Sequence, residues 1–152
     1  MEQSSKTLTF VVPAYNMETY LERCVESLLS ATDNSDIEVL IVDDGSSDGT
    51  PELADMYERR WPGNVRAIHQ VNKGHGGAVN TGIANATGMY VKVVDADDWV
   101  DMPSIDTLMG TLRVQRVATD PVDMIVTNYV YDKVGKLSLI HISEPTRHAQ
   151  IS

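Results

Sequence analysis

Two carboxylates separated by a single residue follow an apolar, strand-like run in the second half of the sequence. They are Asp95 and Asp97, with Ala96 between them. Mg²⁺ and Mn²⁺ prefer oxygen ligands and usually keep waters and substrate phosphates in their coordination sphere. Because such a pair at a strand end can share an ion and a ribose, we predict a Mn²⁺ or Mg²⁺ site at Asp95 and Asp97. The alternative is a polar loop that caps the next helix, as Asp98 or Asp101 could do.

A second pair of acidic residues follows a shorter β-branched run. Asp43 and Asp44 precede Gly45, which permits a tight turn. A carboxylate at this place can accept a hydrogen bond from a nucleobase N–H or a ribose hydroxyl. The spacing of acidic residues after Asp44 also approximates a calcium-binding loop. A strand-like run precedes it where that motif needs a helix, and Pro51 starts a helix in mid-loop, so we favour the nucleoside site.

Two further segments have the composition of ligand-binding loops. Lys73, Gly74 and His75 open a glycine-rich stretch in which the backbone could approach a ligand, Lys73 offers a cation and His75 could contact a diphosphate. A glycine-rich loop alone is weak evidence, and this one lacks the P-loop spacing. The other segment is Pro13-Ala14-Tyr15-Asn16, which could place an aromatic ring against a base. Its alternative role is a strand stop with an asparagine cap for the next helix.

Hydrophobic periodicity places all four segments after strands. We predict strands at residues 8–12, 37–42, 65–69, 89–94 and 123–127, and helices over 17–29, from 50 onward, over 78–86 and over 103–115. Alternating strands and helices predict an α/β fold with a mostly parallel sheet and helices on both faces. Such sheets bind ligands beyond the carboxyl ends of their strands. The four polar segments should therefore line one cleft.

Composition limits the possible functions. The chain has 152 residues and a formal net charge of −10, which suits one domain and argues against a nucleic-acid partner. The one cysteine, Cys24, lies in an apolar helical stripe and excludes an internal disulfide. The first residues lack the pattern of a signal peptide, and no apolar run reaches the length of a membrane-spanning helix. We therefore predict a cytoplasmic protein, with the inner face of the membrane as an option for a longer form.

Together these motifs resemble those of family 2 glycosyltransferases of the GT-A fold, over about residues 7–135. The matching segments are Val12-Pro13-Ala14-Tyr15-Asn16, Val42-Asp43-Asp44-Gly45-Ser46-Ser47-Asp48-Gly49-Thr50, Asn72-Lys73-Gly74 with Asn80-Thr81-Gly82, and Val94-Asp95-Ala96-Asp97-Asp98. The resemblance implies a Rossmann-like sheet. It also implies that the first two segments hold the nucleoside, with Pro13, Tyr15, Asp43 and Asp44 as contacts. Asp95 and Asp97 would bind the ribose and the metal diphosphate.

The same resemblance implies an inverting transfer from a nucleotide sugar, most often UDP-linked. The acceptor would be a hydroxyl of a glycan or a lipid-linked molecule, as in cell-surface or exopolysaccharide synthesis. Members of the family usually take the general base from well beyond the D-x-D motif. We therefore expect a GT-A domain truncated on its C-terminal side, which binds the donor but lacks the base, and we assign no catalytic residue.

The last residues depart from the family pattern. Residues 137–147 resemble a translated sequencing-library adapter, and the alternative is an alternating edge strand followed by a turn. We therefore predict a partial glycosyltransferase domain over residues 1–136 and a non-native tail over 137–152.

Two other functions remain open from the residues. A nucleotidyltransferase would place a glycine-rich basic loop after the first strand, where this chain has Pro13-Ala14-Tyr15-Asn16. A receiver-like module would bind Mg²⁺ through Asp43 and Asp44 without binding a nucleotide.

Overall fold

The computed structural model describes residues 6–133, 136–140 and 148–151. The strands are β1 (Leu8–Ala14), β2 (Ile37–Asp43), β3 (Val65–His69), β4 (Tyr90–Val93), β5 (Met124–Thr127), β6 (Tyr129–Lys133), β7 (Lys136–Ile140) and β8 (His148–Ile151). The helices are α1 (Leu21–Leu28), α2 (Thr50–Arg60), α3 (Gly74–Asn85) and α4 (Met102–Val117). Backbone contacts divide the chain into two compact units, one up to Leu112 and one from Arg113 onward.

The first unit contains a four-stranded sheet in the order β3-β2-β1-β4. All its strand pairs are parallel, and the registers Leu8↔Ile37 and Leu8↔Tyr90 align the strand starts. The strands predicted at 8–12, 37–42 and 89–94 are therefore neighbours in one parallel sheet, as the predicted fold class requires. Because the strands run parallel, the segments that follow β1, β2 and β4 leave the sheet at the same edge.

β1 does not stop at Pro13 as the sequence suggested, and it continues to Ala14 opposite Asp43. The N–H of Val94 donates to the carbonyl of Val11. The backbone N–H and C=O groups of the odd-numbered residues of β1, a set that includes Pro13, therefore point toward β4. Pairing with β4 ends at Val11, so no ladder bond is lost at Pro13 although it has no N–H to donate.

Helices cover both faces of this sheet. The crossovers through α1 and α2 shift one way along it and the crossover through α3 leads back, so right-handed connections place α3 on the opposite face. Val11, Val42 and Ala78 form a buried cluster on the α3 side. A Cβ atom at Gly82 would lie 2.2 Å from Cγ1 of Val11, so the absence of a side chain at Gly82 permits close helix–sheet packing.

The strands differ in burial. Every residue of β1 and β2 is buried, whereas Val91 and Val93 of β4 are exposed. The expectation that all the apolar strands are covered on both sides is therefore wrong for β4. The reason is that Val91 and Val93 share the sheet face of Val11, where α3 packs over β1 and β2 and leaves the edge strand β4 uncovered.

The second unit contains two small sheets. β5 pairs with β8 in parallel, and β6 pairs with β7 in antiparallel fashion. The strand predicted at 123–127 is present, but it does not join the four-stranded sheet as expected, because its partner is β8. The boundary predicted between residues 136 and 137 stays a prediction, and residues 141–147 of that tail lie outside the described residues. In the described part of the chain, no helix has both the length and the apolarity needed to cross a membrane.

Candidate functional site

A cavity of about 360 Å³ opens at the carboxyl edge of the four-stranded sheet. Its volume falls within the range of small-molecule sites. The residues that line it come from all four predicted segments: Pro13, Ala14, Tyr15, Met17, Asp44, Asn72, Gly74, His75, Ala78, Asp95, Ala96 and Asp97. The structure thus brings together nine of the twelve predicted site residues. Asn16, Asp43 and Lys73 are not among the lining residues, and Met17, Asn72 and Ala78 were not on the predicted list.

The two adjacent acidic residues after β2 have different environments, although both are buried. Oδ1 of Asp44 accepts hydrogen bonds from Gln70 Nε2 at 2.9 Å and from the backbone N of Lys73 at 2.7 Å. Burial alone would raise the pKa of Asp44, but these hydrogen bonds outweigh it and hold the pKa below its usual value. Asp44 is therefore a pre-oriented carboxylate in the cavity wall.

Asp43 points away from the cavity into a hydrogen-bonded row. Its Oδ1 accepts the backbone N–H of Ser46, and its Oδ2 lies 2.9 Å from Nδ1 of His69. Nε2 of His69 in turn lies 2.7 Å from Oδ1 of Asp55 on α2. Hydrogen bonding to Asp43 and then to Asp55 raises the pKa of His69. Both oxygens of Asp43 are engaged within the protein, and these contacts fix the loop. The predicted contact of Asp43 with a nucleoside stays a prediction.

Gly45 has the tight turn that the sequence predicted. Its φ is +75°, and a Cβ atom there would lie 2.9 Å from the backbone N of Asn72. Asn72 also donates from Nδ2 to the carbonyl of Asp44 at 2.9 Å. The loop after β2 and the segment after β3 are therefore in direct contact, which places Asp44 beside the start of α3.

The loop after β1 is held to the loop after β2. The backbone N–H of Asn16 donates to Oγ of Ser46, and Oδ1 of Asn16 accepts the N–H of Ser47. Thr50, the first residue of α2, accepts the N–H of Met17 on its hydroxyl, and Asp48 accepts the N–H of Thr50. Asn16 thus braces two loops and does not cap α1, which begins later than predicted.

The glycine-rich segment is the first turn of α3 and not a loop before it. The helix starts at Gly74, four residues before the predicted start, and Gly74 has a φ of +80°. Lys73 contributes to the site through its backbone N–H, which donates to Asp44. His75 reaches across the cavity, where its Nε2 lies 2.8 Å from Oδ1 of Asp95.

Three acidic residues cluster after β4. Oxygen atoms of Asp95, Asp97 and Asp98 all lie within 4.8 Å of one another, and the three residues are exposed. Burial first, and then the charges of Asp97 and Asp95, raise the pKa of Asp98. Asp98 therefore joins the predicted pair, whereas Asp101 has the capping role, because its Oδ1 accepts the N–H of Ser104 in the first turn of α4. Spacing alone did not distinguish these two residues.

The acidic segment is anchored on α1. Sγ of the buried Cys24 lies 3.7 Å from the carbonyl of Asp95, and Oγ of Ser27 accepts the N–H of Val100. The guanidinium of Arg23 lies 5.3 Å from the ring centroid of Trp99. Burial, and then the nearby acidic residues, raise the pKa of Cys24 to about 12, so Cys24 is a packing residue and not a reactive thiol.

The geometry also bears on the alternative functions. A Mg²⁺ site shared by Asp43 and Asp44 is disfavoured because their oxygens accept protein hydrogen bonds. A calcium loop is disfavoured because Thr50 begins a helix within its span. The carboxylates that are close together, exposed and suited to a cation are those after β4.

Comparison with known proteins places this site in a family. The model of "Glycosyl transferase family 2" matches residues 9–147. The chain is 40% identical over 131 residues to Glycosyltransferase GlyG of Streptococcus pneumoniae, covering 85% of this chain and 41% of that protein. The chain spans about a quarter to two fifths of the length of the first curated relatives that it matches.

Solved structures show the same fold. S. aureus TarS 1-349 in complex with UDP-GlcNAc superposes with a TM-score of 0.68 at 25% identity, over 80% of this chain and 34% of that one. The mannosyltransferase PcManGT from Pyrobaculum calidifontis, in complex with GDP-Man and Mn²⁺, superposes with a TM-score of 0.65 at 24% identity, over 84% of this chain and 37% of that one. The four motifs, the parallel sheet and the family match agree, and the chain belongs to glycosyl transferase family 2.

Proposed function

We propose that this chain forms the donor-binding part of an inverting glycosyltransferase that uses a nucleotide sugar, UDP-linked in the first instance. The observation that carries the proposal is the shared cavity, which joins a hydrogen-bonding carboxylate after β2 to an acidic cluster after β4. A nucleoside diphosphate needs both chemistries at once, because its base and ribose offer N–H and O–H groups and its diphosphate carries negative charge.

The nucleoside would occupy the side of the cavity formed by the loops after β1 and β2. Tyr15 is 48% exposed and lies beside Pro13, so its ring is free to pack against a base. Asp44 would accept a hydrogen bond from the base. The complex of TarS with UDP-GlcNAc supports a uridine nucleotide as the first ligand to test.

The diphosphate would lie toward the acidic cluster. The three carboxylates offer oxygen donors close enough to face one cation, which fits Mn²⁺ or Mg²⁺. Asp95 and Asp97 would hold that ion, with Asp98 as an added ligand, and a bound ion would neutralise charge that develops on the leaving diphosphate. Lys73, Gly74 and His75, at the start of α3, would face the phosphates. The Mn²⁺ bound by PcManGT supports the choice of ion.

Acceptor activation requires a separate group. An acceptor hydroxyl needs a general base within hydrogen-bond reach, and the acidic groups of the cavity are assigned to the donor and its metal. The base, the glycan or lipid-linked acceptor, and a cytoplasmic location with access to the inner face of the membrane belong to the proposal for the whole protein.

Calorimetry tests donor binding directly. UDP titrated into the 152-residue chain with Mn²⁺ should bind, and excess chelator should reduce the affinity by at least about tenfold, because a bound ion would neutralise the negative charges of the acidic cluster and the diphosphate. Uridine, which has no phosphates, is the matched ligand and should bind equally with and without the ion. Binding of UDP that ignores the chelator would contradict the metal role, and no binding under either condition would contradict the proposed function.

A further inference from the structure

Asp44 is connected to α3 by a row of two side chains that lie outside the cavity wall. Nε2 of Gln70 donates to Oδ1 of Asp44 at 2.9 Å, and the hydroxyl of Thr81 donates to Oε1 of Gln70 at 2.7 Å. Gln70 and Thr81 are partly buried. The row therefore joins a helix on one face of the sheet to a carboxylate at its ligand-binding edge.

The row fixes which end of the Gln70 amide faces the carboxylate. A glutamine side chain has two N–H donors on nitrogen and an acceptor on oxygen. The Asp44 carboxylate only accepts, so the nitrogen must face Asp44, and Oε1 then faces the hydroxyl of Thr81, which also lies 3.0 Å from the carbonyl of Gly77. A rotated amide would set its oxygen against the oxygen of Asp44, with no hydrogen between two acceptors. Thr81 thus holds the far end of the Gln70 amide, and Gln70 holds Oδ1 of Asp44.

The same row determines which atom of Asp44 is left for a ligand. A carboxylate oxygen accepts about two hydrogen bonds, and Oδ1 already accepts those from Gln70 and from the backbone of Lys73. A ligand in the cavity would therefore meet Oδ2. An acceptor at that position pairs with a ring nitrogen that carries hydrogen, as N3 of uracil does, and repels a ring nitrogen with a lone pair, as N3 of cytosine has.

We propose that Gln70 and Thr81 are positioning residues that hold Asp44 as an oriented acceptor and thereby make the cavity prefer a uracil nucleotide to a cytosine nucleotide. The inference rests on the donor-binding function proposed above. It adds a source of base selectivity in two residues that do not touch the ligand.

The ratio of the affinities for UDP and CDP isolates this effect. The two ligands share the ribose, the diphosphate and the need for Mn²⁺, so a loss of general folding lowers both affinities together and leaves the ratio unchanged. Isothermal titration of the 152-residue chain with each ligand gives the ratio for the wild type. Gln70→Glu replaces the donor with an acceptor and should lower the UDP-to-CDP preference by about tenfold or more, since a site built to pair with a ligand N–H discriminates strongly.

Two further variants keep the test decisive if Gln70→Glu does not fold. Thr81→Val removes the hydroxyl and should lower the preference by a smaller factor of about three to ten, as expected for one lost neutral hydrogen bond. Thr81→Ser keeps the hydroxyl and should retain the ratio of the wild type.

The outcomes separate the two proposals. A wild-type chain that binds UDP and CDP equally, or a Thr81→Val variant with an unchanged ratio, would overturn the inference and leave donor binding intact. A wild-type chain that binds neither nucleotide would overturn the proposed function and the inference with it.

Discussion

The acidic residues after β2 and those after β4 lie on one cavity edge, yet they are built in opposite ways. Asp43 and Asp44 are 3% exposed each, and protein groups already engage both oxygens of Asp43 and Oδ1 of Asp44. Asp95, Asp97 and Asp98 are exposed, close together and mutually repulsive. The first pair is held in place by the protein, and Asp44, which lines the cavity, would meet a ligand without rearrangement. The second set places three negative charges close together, and a bound cation would reduce the repulsion between them.

The difference predicts opposite effects for the same kind of substitution in the two regions. Asp97→Asn should lower the Mn²⁺-dependent affinity for UDP by about 100-fold, because loss of even an outer-sphere partner costs about 10–100-fold at metal sites. Its free energy of unfolding should stay within about 0.5 kcal/mol of the wild-type value, as for other surface changes, since a repulsive charge is removed.

Calorimetry with Mn²⁺ and urea denaturation measure the two effects. Glu52→Gln is the matched control, because it neutralises one exposed carboxylate on α2, which does not line the cavity. If Asp97→Asn destabilised the fold and spared the metal dependence, the contrast between the two regions would be reversed.

The second prediction concerns Asp43, the member of the first pair that does not line the cavity. Asp43→Ala should lower the free energy of unfolding by about 1–3 kcal/mol, the usual cost of leaving a partly buried polar partner unsatisfied. Here the N–H of Ser46 and Nδ1 of His69 both lose their acceptor. The requirement for Mn²⁺ in UDP binding should persist in this variant.

Urea denaturation measures the stability, and titrations with and without chelator measure the metal dependence. Asp43→Asn keeps an acceptor for the N–H of Ser46 and should recover part of the loss. A variant with wild-type stability and no affinity for UDP would show instead that Asp43 contacts the nucleoside directly, as the sequence suggested.

The sequence predicted which residues line the site more readily than the hydrogen bonds that connect them. The presence of the strands and the four segments that line the cavity followed from hydrophobic periodicity and from the rule that parallel strands present ligands at their carboxyl ends. The sequence predicted the same role, a contact with the nucleoside, for Asp43 and Asp44. Two adjacent carboxylates cannot be distinguished until the direction of each side chain is known. Side chains alternate along a strand, and that alternation sends Asp43 toward α2 while Asp44 enters the turn.

Contacts that span distant segments could not be predicted. His69 and Asp55 are 14 residues apart and carry no motif, so their pairing with Asp43 depends on how α2 packs beside β3. The start of α3 was misplaced because glycines disfavour helices by propensity, and here Gly74, Gly76 and Gly77 nevertheless form the first turn. The exposure of β4 depends on which strand lies at the edge of the sheet, and the order of the strands cannot be read from the local hydrophobic pattern of the sequence.

The smallest expected effect is a pH dependence confined to the β2 side of the cavity. His69 has a carboxylate opposite each ring nitrogen, 2.9 Å from Asp43 and 2.7 Å from Asp55. Both contacts are satisfied only when both nitrogens carry hydrogen, and the pKa of His69 is raised from 6.5 through these hydrogen bonds. A group whose pKa is raised on folding stabilises the protein fully below its unfolded value, and that contribution is lost as pH rises through the folded value.

The free energy of unfolding should therefore contain a term that declines between about pH 6.5 and the alkaline range. Because the side chain of His69 is 40% exposed, solvent screening limits the term to about 0.2–1 kcal/mol, as for exposed ion pairs. Urea denaturation from pH 6 to pH 9 measures it, and His69→Gln, which cannot become a cation, should remove the slope. His75→Gln is the matched control, since it removes a histidine that faces Asp95 on the other side of the cavity. A slope that survived in His69→Gln and vanished in His75→Gln would move the pH-sensitive contact from the organised pair to the acidic cluster.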